Sequence, residues 1–263
     1  SKAGRSDAAA RAAASHTGAL AGDDRVFDAV CERYGLCRVS SLDELLEIAL
    51  ALRAGRIPHG DSVAMLCHSG GIKGTFLDAS EHEGLRLAEL TPQTREQLLA
   101  LGDFPVDNPL DGGMRLAIRA DEYGAVARAF ASDPNVDVIA LQGRLPTKEA
   151  HSPHKVAAYN ELFATVGKPI VAFERMAYNV DRETSAASPM PFLHGIPETV
   201  HAVAALVRYG KRLRRARYDA AAIETLAPAR TAPPSDAAAR VRATLEANGV
   251  AFAREATVRD RAG

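Results

Sequence analysis

Tryptophan is absent from this 263-residue sequence, and aromatic residues make up only 5% of it. The 47% hydrophobic content is therefore mostly alanine, valine and leucine, enough for a sizeable core and suited to helices packed on a parallel sheet. Excess charge of either sign is also missing. The formal net charge of −1 argues against a nucleic-acid or membrane partner held by bulk charge. Cys31, Cys37 and Cys67 show no CxxC spacing and cannot all pair with one another, which favours a reduced, cytoplasmic setting. No run approaches the roughly twenty apolar residues of a membrane helix, and residues 1–15 lack the apolar core of a signal peptide. The chain opens without methionine and stops shortly after an apparent new beginning, so it reads as part of something longer.

What is present is a regular alternation of elements. Val26, Phe27, Val30, Cys31 and Tyr34 recur at helical steps after Asp24. "CRVSSLDELLEIALAL" reads as a short strand, a cap at Ser41 and a helix from about Asp43 to Leu52. The breaker-rich "RAGRIPHGD" places a domain boundary near residues 54–60. Beyond it, "SVAMLC", "LRLAEL", "VDVIALQG" and "KPIVAFERM" read as strands, the first as a strand buried on both faces. The segments between them read as helices, with Gly84 as a stop, Thr91 as a cap and Pro92 at the first helical position. A long helix closes at Tyr218. The expected fold is α/β, a parallel sheet with helices on both faces in flavodoxin-like order. An alanine- and proline-rich linker over 218–235 then leads into a fresh unit at 236–263.

Three constellations invite chemistry. His16 stands in "SHTG" among small residues. A neutral imidazole is nucleophilic near its ordinary pKa of about 6.5, and a phosphoryl group on its nitrogen remains a good leaving group. The preceding "AAARAAA" is equally a plain helix with His16 exposed at its end. In "CHSGGIKGTFLD", a strand, Gly70-Gly71 and a helix place free N–H groups at the strand's carboxyl edge, an anion site that His68 is placed to touch. His68 capping a strand end is the alternative. His151 and His154 in "HSPHK" flank an expected helix start, with no cysteine or acidic cluster beside them, so no metal site is expected. The basic run "KRLRRARY" reads as a solvated helix face.

Taken together, "KAGRSDAAARAAASHTGALAG", "HSGGIKGTFLDASEHEGLRLAELTPQTREQL", "DNPLD" and "IPETVHAVAALVRYGKR" resemble the NDP-forming acyl-CoA synthetases, relatives of succinyl-CoA synthetase and of ADP-forming acetyl-CoA synthetase. The resemblance covers nearly the whole chain, with the motifs in family order. It implies that residues 1–55 are the latter part of a first ligase domain with its phosphohistidine loop, 59–217 a second flavodoxin-like ligase domain, and 236–263 the start of an ATP-grasp domain. It also implies an acid–thiol ligase that makes acyl-CoA, ADP and phosphate from an acid, CoA and ATP through acyl-phosphate and phosphohistidine intermediates. His16 would be the phosphoryl carrier, within a loop that includes Gly4, Arg5, Ser6, Ser15, Thr17 and Gly18. Gly70, Gly71 and Ile72 would aim a helix N-terminus at the phosphohistidine.

His68 occupies a position where the family commonly has asparagine and where succinyl-CoA synthetases contact substrate carboxylate; it keeps a donor but adds a titration. Ala9 stands where glycine is frequent. Gln142 and Gly143, at the carboxyl end of a later strand, are expected to line the acyl pocket. By the resemblance, the complete enzyme uses ATP/ADP, Mg and CoA, none of them held by this chain alone, which is expected to be inactive in isolation. A homo-oligomer is left open. The rival readings are the CoA-sensing ligase-like module of a protein lysine acetyltransferase, where the relay histidine tends to be lost, and a non-catalytic flavodoxin-like binding module. Relatives use acetate, branched acids and hydroxycinnamates.

Overall fold

A computed structural model describes residues 24–34, 36–39, 41–143, 153–175 and 181–225, with isolated helical positions at 8, 9, 11, 243 and 247. Side chains of 153–155, 182 and 216–225 are outside that description. The chain divides into a unit over residues 1–213 and a second over 214–263. In the first unit, β1 (Ser62–Cys67), β2 (Arg86–Leu87), β3 (Leu110–Asp111), β4 (Val138–Gln142), β5 (Ile170–Glu174) and β6 (Phe192–His194) form one sheet. Every pairing is parallel. The order is β2-β1-β4-β5-β6, with β3 also paired to β1. Apart from the short β3, this is the expected flavodoxin-like order.

All six residues of β1 and all five of β4 are buried. Their alternation feeds two cores. Ala64, Leu66, Ile139 and Leu141 face α4 (Pro92–Leu101), α6 (Ala120–Ser132) and α7 (Pro153–Thr165), through residues such as Leu98, Phe130 and Leu162. Val63, Met65, Val138 and Ala140 face α2 (Leu42–Arg53), α3 (Gly70–Glu83) and α9 (Ile196–Thr225), through Ile48, Phe76 and Val203. The remaining described helices are α1 (Asp24–Tyr34), α5 (Gly113–Ile118) and α8 (Arg182–Ala187).

Local chemistry sets the helix ends. Ser41 and Glu44 form a reciprocal capping box on α2, Thr91 accepts from the Thr94 amide at α4, and Gly84 ends α3 at φ +64°. The helix α2 is fastened to the sheet by Glu47, which accepts from the His194 amide at 3.0 Å and meets His194 Nδ1 at 2.6 Å. His201 sits between the carboxylates of Glu44 and Glu83.

Some elements differ from the sequence reading. Residues 36–39 lie outside the sheet, with Leu36 N–H donating to Cys31 O at 2.8 Å and Val39 buried in the α2 core. The strand expected in "LRLAEL" shortens to Arg86–Leu87. The closing helix continues past Tyr218 to Thr225. The basic run is partly paired rather than purely solvated: Lys211 Nζ lies 2.7 Å from Asp61, and Arg212 donates to Leu36 O at 3.0 Å.

β1 has one edge paired along its length to β4, while its other edge carries β2 near the start and β3 near the end. Asn108 closes the gap between them. Its Oδ1 accepts from Met65 N–H at 2.9 Å, and its Nδ2 donates to Val63 O at 2.7 Å and Ala88 O at 3.0 Å. A side-chain amide thus stands in for a missing stretch of strand, satisfying backbone groups that burial would otherwise leave unpaired. Asn108→Asp keeps the shape but cannot donate to two carbonyls, so it should lower unfolding free energy by roughly 1–3 kcal/mol in a denaturant titration. An unchanged midpoint would contradict this role.

Candidate functional site

At the carboxyl end of β1 the chain turns through His68 and Ser69 into α3. Ser69 takes an extended N-cap conformation, but its side chain caps nothing, and no acidic residue occupies the first turn. Lys73 N–H is the first to bond back, to Ser69 O at 3.0 Å. The amides of Gly70, Gly71 and Ile72 are thus the donors that a helix start leaves over. Neither glycine is required by the protein's own packing. A Cβ on Gly70 would come no closer than 3.8 Å to Asp111, and one on Gly71 no closer than 3.7 Å to Ser69 Oγ. Neither has a positive φ. The open space above these amides, with the positive end of α3 behind it, suits an anion. Asp111 stands beside the same turn, held by the Gly113 amide at 3.0 Å, and its charge opposes that field.

The turn is tied across the sheet to the end of β4. His68 N–H donates to Gln142 Oε1 at 2.8 Å. Tyr123 of α6 donates its hydroxyl to Gln142 O at 2.9 Å and places its ring 5.6 Å from the His68 ring. Tyr159 of α7 packs edge-on against Tyr123 and against Phe192. These groups border a cavity of about 860 Å³ lined by His68, Ser69, Ile72, Gln142, Gly143 and Tyr159, among others. Burial pushes the His68 imidazole below its ordinary value, against the opposing pull of the Gln142 backbone and the Asp111 charge. His68 Nδ1 is buried without a hydrogen-bond partner among the described residues. Burial also pushes the Tyr159 phenol up to about 12, so it remains a donor at neutral pH. The arrangement offers a buried imidazole, amide donors and a recess of mixed lining, with Asp121, Arg128, Glu174 and Arg175 beside its apolar residues.

Comparison with known proteins places this geometry. The family of succinyl-CoA ligase like flavodoxin domains matches residues 1–52. The alpha subunit of ADP-forming acetate–CoA ligase II from Pyrococcus furiosus is 32% identical over 226 residues, covering 81% of this chain and 47% of that protein. The alpha subunit of ligase I from the same organism is 45% identical over 148 residues, 52% of this chain and 32% of that one. The acetyl-coenzyme A synthetase 1 of Ca. Korarchaeum cryptofilum, solved in complex with phosphate and ADP, shares the fold. It has a TM-score of 0.70 at 21% identity, over 83% of this chain and 48% of that one. In sequence and fold the chain is similar to the NDP-forming acyl-CoA synthetases. It spans about half the length of the relatives it matches most fully.

Within this scaffold, His68, Ile72, Gln142 and Gly143 meet around one cavity, and Gly70 and Gly71 begin the adjoining helix. His16 and its loop residues Gly4, Arg5, Ser6, Ser15, Thr17 and Gly18 lie outside the described residues, as do His151 and the side chain of His154. Among the described residues no three histidines, cysteines or carboxylates cluster as metal ligands, and no helix is long and apolar enough to cross a membrane. Cys67, at the end of β1, has its thiol pushed up to about 11 by burial. Sequence reasoning missed Tyr123 and Tyr159. Their signal was an aromatic on the inward face of each flanking helix in a chain with few aromatics to spend.

The displaced titration of His68 is directly measurable. Its ring proton shifts should give a midpoint below the ordinary value of about 6.5. Because the folded value is depressed, the unfolded chain takes up the proton first, and this group costs stability as pH falls through about 6.5. His68→Asn should flatten that part of the stability profile; a His68 midpoint at or above 6.5 would contradict the assignment.

Proposed function

We propose that this chain is the phosphoryl-relay and acyl-binding part of an ADP-forming acid–thiol ligase. Most of its relatives' names describe ADP-forming acetate–CoA ligases. The observation that carries the reading is the β1–α3 turn. Two glycines that neither packing nor backbone angle demands present three spare amides beside a cavity holding His68 and Gln142. Such a turn meets the needs of a phosphoryl group next to a carboxylic acid.

In this proposal a His16 ring nitrogen attacks the γ-phosphorus of ATP, forming N–P, breaking the O–P bond and releasing ADP. The acid's carboxylate then attacks that phosphorus, giving acyl phosphate and restoring the imidazole. CoA thiol attacks the acyl carbon, loses its proton and expels phosphate. The amides of Gly70, Gly71 and Ile72 hold the phosphoryl oxygens, the helix terminus as a whole contributing roughly 0.3–1 kcal/mol, up to about 2 when partly buried. His68 and Gln142 position the carboxylate at the cavity mouth. Residues 1–55, 59–217 and 236–263 serve as the end of a first ligase domain, a second ligase domain and the opening of an ATP-grasp domain, with CoA, Mg and ATP held by parts such as its relatives possess.

The test is chemical. The complete ligase incubated with γ-phosphoryl-labelled ATP should acquire a label that is lost in acid and stable in base. His16→Ala should abolish that label while leaving the circular dichroism and melting of the protein unchanged. Label that persists in His16→Ala, or that survives acid, would overturn the relay.

A further inference from the structure

The motif "DNPLD" carries three polar side chains close to β1, and the fold accounts for two of them. Asn108 completes the edge of β1, and Asp107 takes the ammonium of Lys73, the fourth residue of α3. Asp111, the last residue of β3, stands beside the start of α3. Apart from the backbone of α3 and the residues adjoining Gly70, its Oδ2 is the one atom within 4 Å of an ideal Cβ on Gly70, at 3.8 Å. Such a Cβ lies about 2.5 Å from its own residue's nitrogen, so the carboxylate is within roughly 6.5 Å of the Gly70 amide.

Hydrogen bonding does not explain why this residue is charged. Asp111 Oδ1 accepts from the Gly113 amide at 3.0 Å, which an asparagine oxygen would do equally well. No cation pairs with Asp111 among the described residues. Its charge is nevertheless felt at the turn. At His68 it works against the lowering caused by burial, and at Cys67 it adds to the raising caused by burial. Of the charged side chains acting on Cys67, Lys73 and Asp107 cancel one another, which leaves Asp111. An anion on the α3 amides is therefore attracted by the helix terminus and repelled from one side.

We propose that Asp111 is an electrostatic counterweight: it weakens the hold of the α3 amides on a phosphoryl dianion, so that phosphate leaves the seat readily. The inference rests on the reading of those amides as a phosphate seat. A relay needs this balance, because an intermediate bound too firmly raises the barrier to the step that follows. At roughly 6 Å and the dielectric of water, one negative charge alters the affinity for a dianion about tenfold.

Inorganic phosphate titrated into the isotope-labelled chain, read at the amides of Gly70, Gly71 and Ile72, tests this. Asp111→Asn keeps the acceptor for Gly113 and should lower the Kd about tenfold at low salt. Asp111→Ser, a second uncharged acceptor, should do the same if the asparagine variant does not fold. Raising the ionic strength to about 1 M should shrink the gain to about twofold or less, since the screening length falls to roughly 3 Å. Asp111→Glu keeps the charge and should show no gain. A merely structural role would weaken binding in the uncharged variants. Unchanged or weaker binding there, or a gain that salt does not reduce, would overturn the inference while leaving the seat in place if the native protein binds at these amides. If phosphate moves the three amides in neither the native protein nor the uncharged variants, seat and inference fall together. The titration needs no turnover, so a failure of the ligase reaction leaves its outcome intact.

Discussion

β1 sits where the chain reverses its direction of travel across the sheet. After β1 the chain builds β2 on one side, returns to touch the same edge with β3, and crosses to β4 on the other side. Loops leaving β1 and β4 must then diverge, and the crevice between their carboxyl ends is where such sheets bind ligands. A crevice alone would splay open. Here the Gln142 side chain reaches across to the His68 amide, fixing the exit of one strand to the exit of the other at 2.8 Å. That link joins two residues of the cavity lining, His68 just before the start of α3 and Gln142 at the end of β4.

Around this link the structure divides its labour between rigidity and vacancy. The rigid parts are satisfied internally: Asn108 completes the edge of β1, Glu47 and His201 fasten α2 and α9, and Arg53 donates to Ala186 O and Ser188 O near α8. The vacant parts are the α3 amides and His68 Nδ1, polar groups left without protein partners among the described residues. Buried polar atoms without partners among the described residues also occur elsewhere, at Arg38 Nε, Ser80 Oγ and Ser185 Oγ; what marks the crevice is that its open groups adjoin a cavity.

Legibility in the sequence follows the range of the interaction concerned. Ser41, Gly84, Thr91 and Pro92 act within one helical turn, so their residue types alone announced the ends of α2, α3 and α4. The buried strands β1, β4 and β5 were visible as short apolar runs. The two-residue β3 and three-residue β6 are too short to carry a period, and Val39 is buried by α2 rather than by strand pairing. His68, Gly70, Gly71, Gln142 and Gly143 could be named because strand ends and glycine turns predict where a crevice opens, whereas Ile72 was named through the family resemblance. Why residue 143 is glycine could not be read, since the reason is Tyr159, on a helix that the sequence does not place against it.

The account depends on the α3 amides being a phosphate seat rather than an unremarkable helix start. Titrating the isotope-labelled protein with inorganic phosphate and following its amide resonances addresses this directly. The amides of Gly70, Gly71 and Ile72 should move most, saturably, with His68 responding alongside them. Phosphate shifts concentrated elsewhere, with those three amides still, would contradict it.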